Sequence, residues 1–291
     1  MLLADELGEC RRPQPLRERR DLAAASVGGI REEVSHGASM LRRVSGSVAD
    51  TWSGASYERL TETYAPIHDR LVEALALAPG ERVLDVACGT GAVALRAARA
   101  GADVVGIDIS ADQLAKARRA ADDACLEIRF DEGDCQELPY EDAEFDAVAS
   151  SFGAIFAADH ARTAAELARV CRHGGRMALT AWPKDGWSEQ HAKAGRTFSN
   201  EADAREWAEE KSVRALLGDA FDLELRIGQW RVAAESGDAL WDLLSSSMPP
   251  LRAWLAEQSD EARAHAERVY LEFLAPAVLE REYVLVLGTR R

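Results

Sequence analysis

The stretch Arg82 to Gly91 reads Arg-Val-Leu-Asp-Val-Ala-Cys-Gly-Thr-Gly. It predicts an apolar strand that carries one acid and runs into a glycine loop with a helix behind it. Gly89 and Gly91 permit backbone conformations and a close backbone approach that a Cβ atom would obstruct. A ligand can therefore lie on the chain where the strand becomes a helix, and the stretch predicts the floor of a nucleoside-cofactor site.

Asp85 is the unusual residue of this predicted strand. A carboxylate inside Val-Leu-Asp-Val-Ala is unfavourable unless it is paired, hydrogen-bonded or directed at a ligand. We therefore expect a polar partner at the carboxyl end of the strand, where ligands bind in open α/β sheets. Pairing with Arg82 or with a helix terminus is the structural alternative.

The composition limits the class of protein. The 291 residues carry a formal net charge of −15, which disfavours nucleic acid and membrane surfaces as partners and favours small molecules. No run of about 18 apolar residues is present, and the first ten residues lack the basic start of a secretory signal, so we expect a cytoplasmic protein. The five cysteines form no Cys-x-x-Cys pair and no histidine lies at zinc-ligand spacing, so we expect no metal.

From Glu81 onward, strand and helix patterns alternate. We predict strands at 83–87, 102–108, 126–130, 145–150, 176–182, 221–228 and 282–288, and helices at 90–100, 110–121 and 161–172. This alternation predicts an α/β fold in which helices cover a parallel sheet.

The N-terminal part of the chain has a different pattern. Residues 1–44 lack sustained apolar periodicity and are predicted to form a loose arm or marginal helices. Residues 45–80 are predicted to form a helical cap, since apolar residues recur there at three- and four-residue steps. Pro66 is expected to separate two helices and to lie in the first turn of the second.

The C-terminal part completes the predicted division into domains. Residues 81–235 form the predicted cofactor-binding core, and residues 277–291 supply its final strand. Between them, residues 236–276 carry leucines and aromatic residues at mostly helical spacing. We interpret this insertion as a helical lid.

The glycine loop alone fits two cofactor classes, because residues 89–94 also satisfy the G-x-G-x-x-G/A dinucleotide fingerprint. Further motifs distinguish these classes. From about Trp52 to Gly288 the chain resembles the class I S-adenosylmethionine-dependent methyltransferases, particularly the small-molecule group related to ubiquinone and menaquinone methyltransferases. The resemblance rests on five ordered motifs at 83–91, 105–110, 133–139, 145–148 and 167–175.

The resemblance implies a Rossmann-like, doubly wound, seven-stranded and mostly parallel sheet with a helical cap, and S-adenosylmethionine as the cofactor. It also implies how the nucleoside is bound. Asp108 would accept from both ribose hydroxyls, Ile109 would pack on the adenine face, Asp134 would accept from the adenine amino group, and the Cys135 amide would reach a ring nitrogen. The structural alternatives are a helix cap for Asp108 and a simple turn for Asp134.

The resemblance further implies contacts at the methionine end of the cofactor. Asp85 and the backbone near Ala87, Gly89 and Gly91 would face the methionine group, whose ammonium is a natural partner for a carboxylate. Ser151, after the fourth strand, would border the methyl group. Tyr57 would close over the cofactor, with ordinary packing as the alternative.

The implied reaction is methyl transfer to an oxygen or carbon atom of a small-molecule acceptor, such as a quinone-like, aromatic or other secondary metabolite. No catalytic residue is assigned. His68, His160 and His191 are candidate bases, each with a structural alternative. A cyclase on the same scaffold and, less favoured, a nicotinamide-dependent oxidoreductase are the alternative functions.

Acceptor recognition is expected in three segments: 52–64, the region after Trp182, and the insertion at 236–276. Four tryptophans are candidates for an apolar acceptor pocket, with a core position as the alternative for each. They are Trp187, Trp207, Trp241 and Trp254.

Overall fold

The computed structural model describes residues 52, 57–195 and 204–291. The predicted arm at residues 1–44 lies outside these ranges. So do residues 45–51 and 53–56 of the predicted cap.

One sheet forms the centre of the described chain. Its strand order is β3-β2-β1-β4-β5-β7-β6, and only β7 runs antiparallel to its neighbours. This order confirms the predicted doubly wound, seven-stranded and mostly parallel sheet. The strands are β1 Arg82–Val86, β2 Asp103–Asp108, β3 Arg129–Glu132, β4 Phe145–Ser151, β5 Cys171–Ala181, β6 Phe221–Ala233 and β7 Val278–Arg290.

Helices alternate with the parallel strands and also precede β1 and separate β6 from β7. Within the described ranges the α-helices are α1 Tyr57–Thr63, α2 Ala65–Leu75, α3 Ala92–Arg99, α4 Ala111–Asp123, α5 His160–Val170, α6 Gly186–Lys193, α7 Glu210–Leu217, α8 Gly237–Ser247, α9 Pro249–Ala256 and α10 Asp260–Leu274. No helix in the described ranges is long and apolar enough to cross a membrane.

The sheet separates two apolar clusters. Alternate residues of β1 enter different clusters, since Val83 packs in one and Leu84 in the other, and both are fully buried. A strand buried on both faces needs an almost continuous apolar sequence. This requirement explains the Val-Leu-x-Val run, and it leaves Asp85 as the exception.

The first two helices meet at Tyr64, as the sequence predicts. Pro66 lies in the first turn of α2, where a missing amide hydrogen leaves no hydrogen bond unmade. The helix ends at Ala76, whose φ of 46° places it in the left-handed region.

The third strand differs from its prediction because it begins at Arg129 rather than Leu126. After α4, Cys125 adopts a φ of 55°. The amide of Leu126 then donates back to the carbonyl of Ala121 at 2.9 Å. These contacts terminate the helix and use the residues that the apolar pattern assigned to the strand.

The last two strands are longer than predicted. They pair antiparallel along thirteen positions, from Phe221 opposite Arg290 to Ala233 opposite Val278. The predicted segments covered only the more apolar parts of each strand. The paired backbone continues through polar residues because an antiparallel edge strand can have a solvent-facing side.

Candidate active site

Asp108 ends β2 and is tied to the glycine loop that follows β1. Its Oδ2 accepts from the Gly89 amide at 2.7 Å, and its Oδ1 accepts from the Ser110 amide at 2.9 Å. Burial raises the pKa of Asp108, and these amide hydrogen bonds act in the opposite direction. Ser110 is the N-cap of α4, since its hydroxyl accepts from the Gln113 amide. Asp108 therefore does not serve as the cap of α4.

Asp85 lies beneath the same loop, in the interior of the protein. Its Oδ2 accepts from the Ala94 amide in the first turn of α3, at 2.9 Å. Burial raises the pKa of Asp85 to about 8. The helix-terminus alternative is therefore present, whereas pairing with Arg82 is not, because that guanidinium bonds Glu144 at 2.9 Å.

The loop between β1 and α3 has the backbone conformations that its glycines predict. Gly91 precedes α3 with a φ of 80°, and a Cβ atom there would lie 3.2 Å from the Phe130 ring. Ala87 has a φ of 52°. Its Cβ would be only 2.5 Å from a Cβ added at Gly153, so the backbone after β4 approaches this loop closely.

The residues predicted to bind the adenine lie after β2 and β3. Ile109 is one of the large apolar side chains that remain exposed, at 37%. Both carboxylate oxygens of Asp134 accept from the Gln136 side chain, and Oδ1 also accepts from its backbone amide. Burial raises the pKa of the Cys135 thiol to about 12.

Tyr57 and Ser151 are the residues predicted to contact the methionine end of the cofactor. A Cβ atom added at Gly89 would lie 3.9 Å from Cε1 of Tyr57. Burial and the nearby Asp108 raise the pKa of Tyr57. The Ser151 hydroxyl is 3.2 Å from the Thr180 hydroxyl, so it is held at the carboxyl end of β4.

A cleft that is partly open to solvent and has a volume of about 80 Å³ is lined in part by Tyr57. Its walls come from α1, the segments after β4 and β5, α6, residues 204–205, the start of α9 and β7. Seven aromatic residues line it: Trp52, Tyr57, Tyr64, Phe152, Phe156, Trp182 and Trp187.

A family model described as a methyltransferase domain matches residues 83–175. A demethylmenaquinone methyltransferase from Deinococcus radiodurans is 46% identical over 113 residues, which cover 38% of this chain and 46% of that protein. The chain belongs to the class I S-adenosylmethionine-dependent methyltransferases. S-adenosylmethionine is accordingly the cofactor of this methyltransferase.

Other proteins resemble the methyltransferase over more of its length. An uncharacterized protein of Mycobacterium tuberculosis is 32% identical over 254 residues, covering 82% of this chain and 93% of that protein. A Bacillus halodurans structure assigned as a methyltransferase has a TM-score of 0.53 at 20% identity, covering 76% of this chain and 97% of that one. The cyclase SpnF has a TM-score of 0.53 at 22% identity, and the match covers 82% of this chain and 85% of that one. The two structural matches support the fold alone.

The residues around the glycine loop fit the chemistry of S-adenosylmethionine. Asp85 is buried and, among the described residues, forms no ion pair with a basic side chain, so it suits an ammonium group. Gly89 lacks a side chain next to the Tyr57 ring, so a ligand can approach the backbone there. The exposed Ile109 offers an apolar face for the adenine ring. The individual contacts remain predictions. In the described part of the methyltransferase, no group of three or more His, Cys, Asp or Glu residues could hold a metal ion.

The three candidate histidines have different environments. His68 is buried in α2 and does not line the cleft; burial lowers its pKa to about 4. His160 starts α5, where its ring nitrogens contact Glu206 and the carbonyl of Ile155. His191 lines the cleft, and its Nδ1 bonds the hydroxyl of Tyr270.

The four candidate tryptophans lie in two kinds of environment, the cleft and the apolar clusters. Trp187 lines the cleft. Trp207 and Trp241 belong to the two apolar clusters, and Trp254 packs against one of them. Tyr64 lines the cleft and ends the segment 52–64 in which acceptor recognition is expected, whereas Arg281 lines it without having been predicted. Phe152 and Trp182 follow β4 and β5, and their place after parallel strands is a signal that identifies such residues.

Proposed function

We propose that this methyltransferase modifies an oxygen or carbon atom of a small aromatic or quinone-like acceptor in the cleft. The observation that carries the proposal is the position of Tyr57. Its ring lies 3.9 Å from the Cβ position of Gly89 and also lines the cleft. An acceptor in the cleft would therefore lie next to the loop that holds the methyl donor.

The walls of the cleft favour a flat apolar molecule. The rings of Phe152 and Trp182 are stacked with centroids 4.0 Å apart and planes within 4°. The Tyr64 ring lies against both, at centroid distances of 5.5 and 5.8 Å. Rings held in this way form a rigid apolar wall, which a planar acceptor can contact with little loss of side-chain freedom.

When bound, S-adenosylmethionine supplies an electrophilic methyl group on a sulfonium sulfur. The protein's task is to hold the acceptor atom in line with the methyl group, about 3 Å away, and to exclude water. The acceptor atom gains the methyl group and loses a proton. Tyr57, Phe152 and Tyr64 would orient the acceptor.

His191 is the proposed base for an acceptor that carries a hydroxyl group. It lines the cleft, and its bond to Tyr270 fixes the plane of the imidazole. Tyr270 is itself held by stacking on Trp241, with centroids 4.8 Å apart. A positioned imidazole that takes the hydroxyl proton contributes about 10²- to 10⁴-fold to such a rate.

The function is tested by incubating the protein with methyl-labelled S-adenosylmethionine and a panel of phenols, hydroxyquinones and their carbon-nucleophile analogues. We expect an acceptor product heavier by one methyl group, with an equal amount of S-adenosylhomocysteine. His191→Gln should slow transfer to phenols and change its pH profile. Transfer to an acceptor that needs no base should be unaffected.

The same incubation tests the cyclase alternative; the cyclase SpnF has a similar fold. A product of unchanged mass, formed without consumption of the cofactor, would support cyclisation and contradict methyl transfer. Labelled nucleic acid serves as the negative control, because the net charge of −15 opposes its binding. We propose the cytoplasm as the site of this reaction.

A further inference from the structure

Arg281 brings a fixed cation into the aromatic cleft. It belongs to β7, lines the cleft and is 9% exposed. Its Nε donates to Oδ2 of Asp185 at 2.5 Å, and its guanidinium carbon lies 4.2 Å from the centre of the Trp182 ring. An ion pair along one edge and a ring against one face hold the guanidinium in a single orientation.

The outer edge of this guanidinium has no hydrogen-bond acceptor among the described residues. Asp185 contacts Nε, and within the described ranges neither Nη1 nor Nη2 donates to a protein acceptor. Asp185 itself is further occupied, because its Oδ1 accepts from the amide and the hydroxyl of Ser188. Arg281 lines a cleft that is partly open to solvent, so the N–H donors of this fixed guanidinium are available to a ligand that brings oxygen atoms to them.

The charges around the cleft support an anionic ligand. The chain as a whole has 50 acidic and 35 basic residues. The described lining of the cleft nevertheless contains Arg281, Arg205 and His191, and no aspartate or glutamate. Asp185 pairs with Arg281 from outside this lining, so the described surface of the cleft itself presents basic groups, which suit an anion.

Tyr64 connects Arg281 with the reaction site. The Tyr64 ring packs on Trp182, the same ring that supports Arg281. Burial and the nearby Tyr57 raise the pKa of Tyr64, whereas Arg281 lowers it. Tyr57, Tyr64 and Arg281 all line the cleft, so polar groups lie along it from beside the glycine loop to Arg281.

We propose that the acceptor carries a carboxylate on its aromatic ring system and that Arg281 binds this group through Nη1 and Nη2. Two parallel N–H groups match the two oxygens of a carboxylate. The inference rests on the proposed methyl transfer to an aromatic acceptor and adds a substrate class, the aromatic carboxylic acids. Arg281 acts as a specificity-determining residue that orients the ring.

The test compares two ligands of nearly the same shape, 2-naphthoate and its neutral amide, 2-naphthamide. Binding to protein saturated with S-adenosylhomocysteine is measured by calorimetry. We expect wild-type protein to bind naphthoate at least about 10-fold more tightly than naphthamide. Arg281→Met should reduce naphthoate binding to the level of naphthamide and leave naphthamide binding unchanged. Arg281→Lys should recover part of the preference for naphthoate, because lysine keeps the positive charge but lacks the two parallel N–H donors of the guanidinium.

Arg231→Met is the matched control. Arg231 is an exposed arginine on the adjacent strand β6, with its own ion pair to Glu280. Its replacement removes one positive charge without altering the cleft, so the naphthoate preference should persist. Loss of the preference in this control would mean that net charge, and not Arg281, is responsible.

Equal binding of the two ligands, or binding of neither, overturns the inference when S-adenosylhomocysteine still binds. The proposed methyl transfer would then stand without it. Failure to bind S-adenosylhomocysteine would count against both. The comparison of the two ligands in wild-type protein requires no substitution, so an unstable variant does not remove the test.

Discussion

Asp108 Oδ2 and the amide nitrogen of Gly89 are 2.7 Å apart, and this hydrogen bond ties the end of β2 to the loop after β1. The carboxylate at the predicted ribose position is therefore also a structural element of the predicted methionine site. Substitution of Asp108 should affect both halves of the cofactor site together.

Asp108→Asn should weaken S-adenosylhomocysteine binding by about 10- to 100-fold, the effect of losing charge-assisted hydrogen bonds of about 1.5–3 kcal/mol. Calorimetric titration gives the affinity. Asp103→Asn, at the exposed start of the same strand, is the control and should bind normally. Unchanged affinity in Asp108→Asn would mean that the ribose is held by other groups.

Asp85 should make the cofactor-free protein less stable as the pH rises. Burial raises its pKa from 3.8 to about 8, so between these values the folded chain keeps a proton that the unfolded chain has released. The titration of Asp85 therefore lowers the free energy of unfolding as the pH rises. Asp85→Asn removes the titration and keeps an acceptor for the Ala94 amide.

Urea unfolding of wild type and Asp85→Asn between about pH 5 and about pH 8 measures this contribution. The free energy of unfolding of Asp85→Asn relative to that of wild type should increase as the pH rises toward about 8. Asp103→Asn should show no such trend. Parallel pH profiles for wild type and Asp85→Asn would contradict the prediction.

His68 should have the opposite effect on stability. Burial and the nearby Arg96 lower its pKa from 6.5 to about 4, so the unfolded chain binds a proton in this window and the folded chain does not. The contribution of His68 to the free energy of unfolding has its full value above about pH 6.5 and decreases as the pH falls toward about 4. Its Nδ1 is also buried without a hydrogen-bond partner among the described residues.

His68→Leu should therefore be more stable than wild type, with the larger gain at about pH 5. Urea unfolding at two pH values measures the difference. His265→Leu replaces an exposed histidine of α10 and should show little pH-dependent gain. A gain of equal size at both pH values would assign the effect to packing alone.

Gly153→Ala should destabilise the protein by about 1–3 kcal/mol, because the added methyl group has no space. A Cβ there would lie 2.5 Å from the Ala87 Cβ and 2.7 Å from the Ala87 carbonyl oxygen. Displacement of Ala87 should also weaken S-adenosylhomocysteine binding. Unfolding and calorimetry measure the two effects.

Gly186→Ala is the control for the glycine substitution. A Cβ at Gly186 would meet the Phe273 ring at 3.8 Å, an ordinary contact distance. This variant should keep both stability and binding. Similar losses in the two variants would contradict the steric explanation.

The parallel part of the sheet could be predicted because its strands are buried on both faces and carry a continuous apolar signal. Asp85 and Asp108 were identifiable for a related reason, since a carboxylate at the end of such a strand needs a partner. Helices α6 and α7 were missed. Each has only eight residues, so its apolar periodicity covers barely two turns.

The cleft was predictable only in part. Residues that follow parallel strands, such as Phe152 and Trp182, lie near the site by the rules of the fold. Arg281 has no such signal, because its environment depends on Asp185, 96 positions earlier in the chain. Its significance comes from a contact between distant segments, which a single sequence does not specify.

Strand β7 lies between β5 and β6, although it follows both in the chain. Strands β1 to β5 pair with one another in parallel, whereas β6 joins the sheet only by pairing with β7. The half of the protein that holds the methyl donor can therefore assemble early, and the wall that carries Arg281 must wait for a contact of high sequence separation. We therefore expect the strands that hold the methyl donor to gain protection from hydrogen exchange during refolding before the strand that carries Arg281 does.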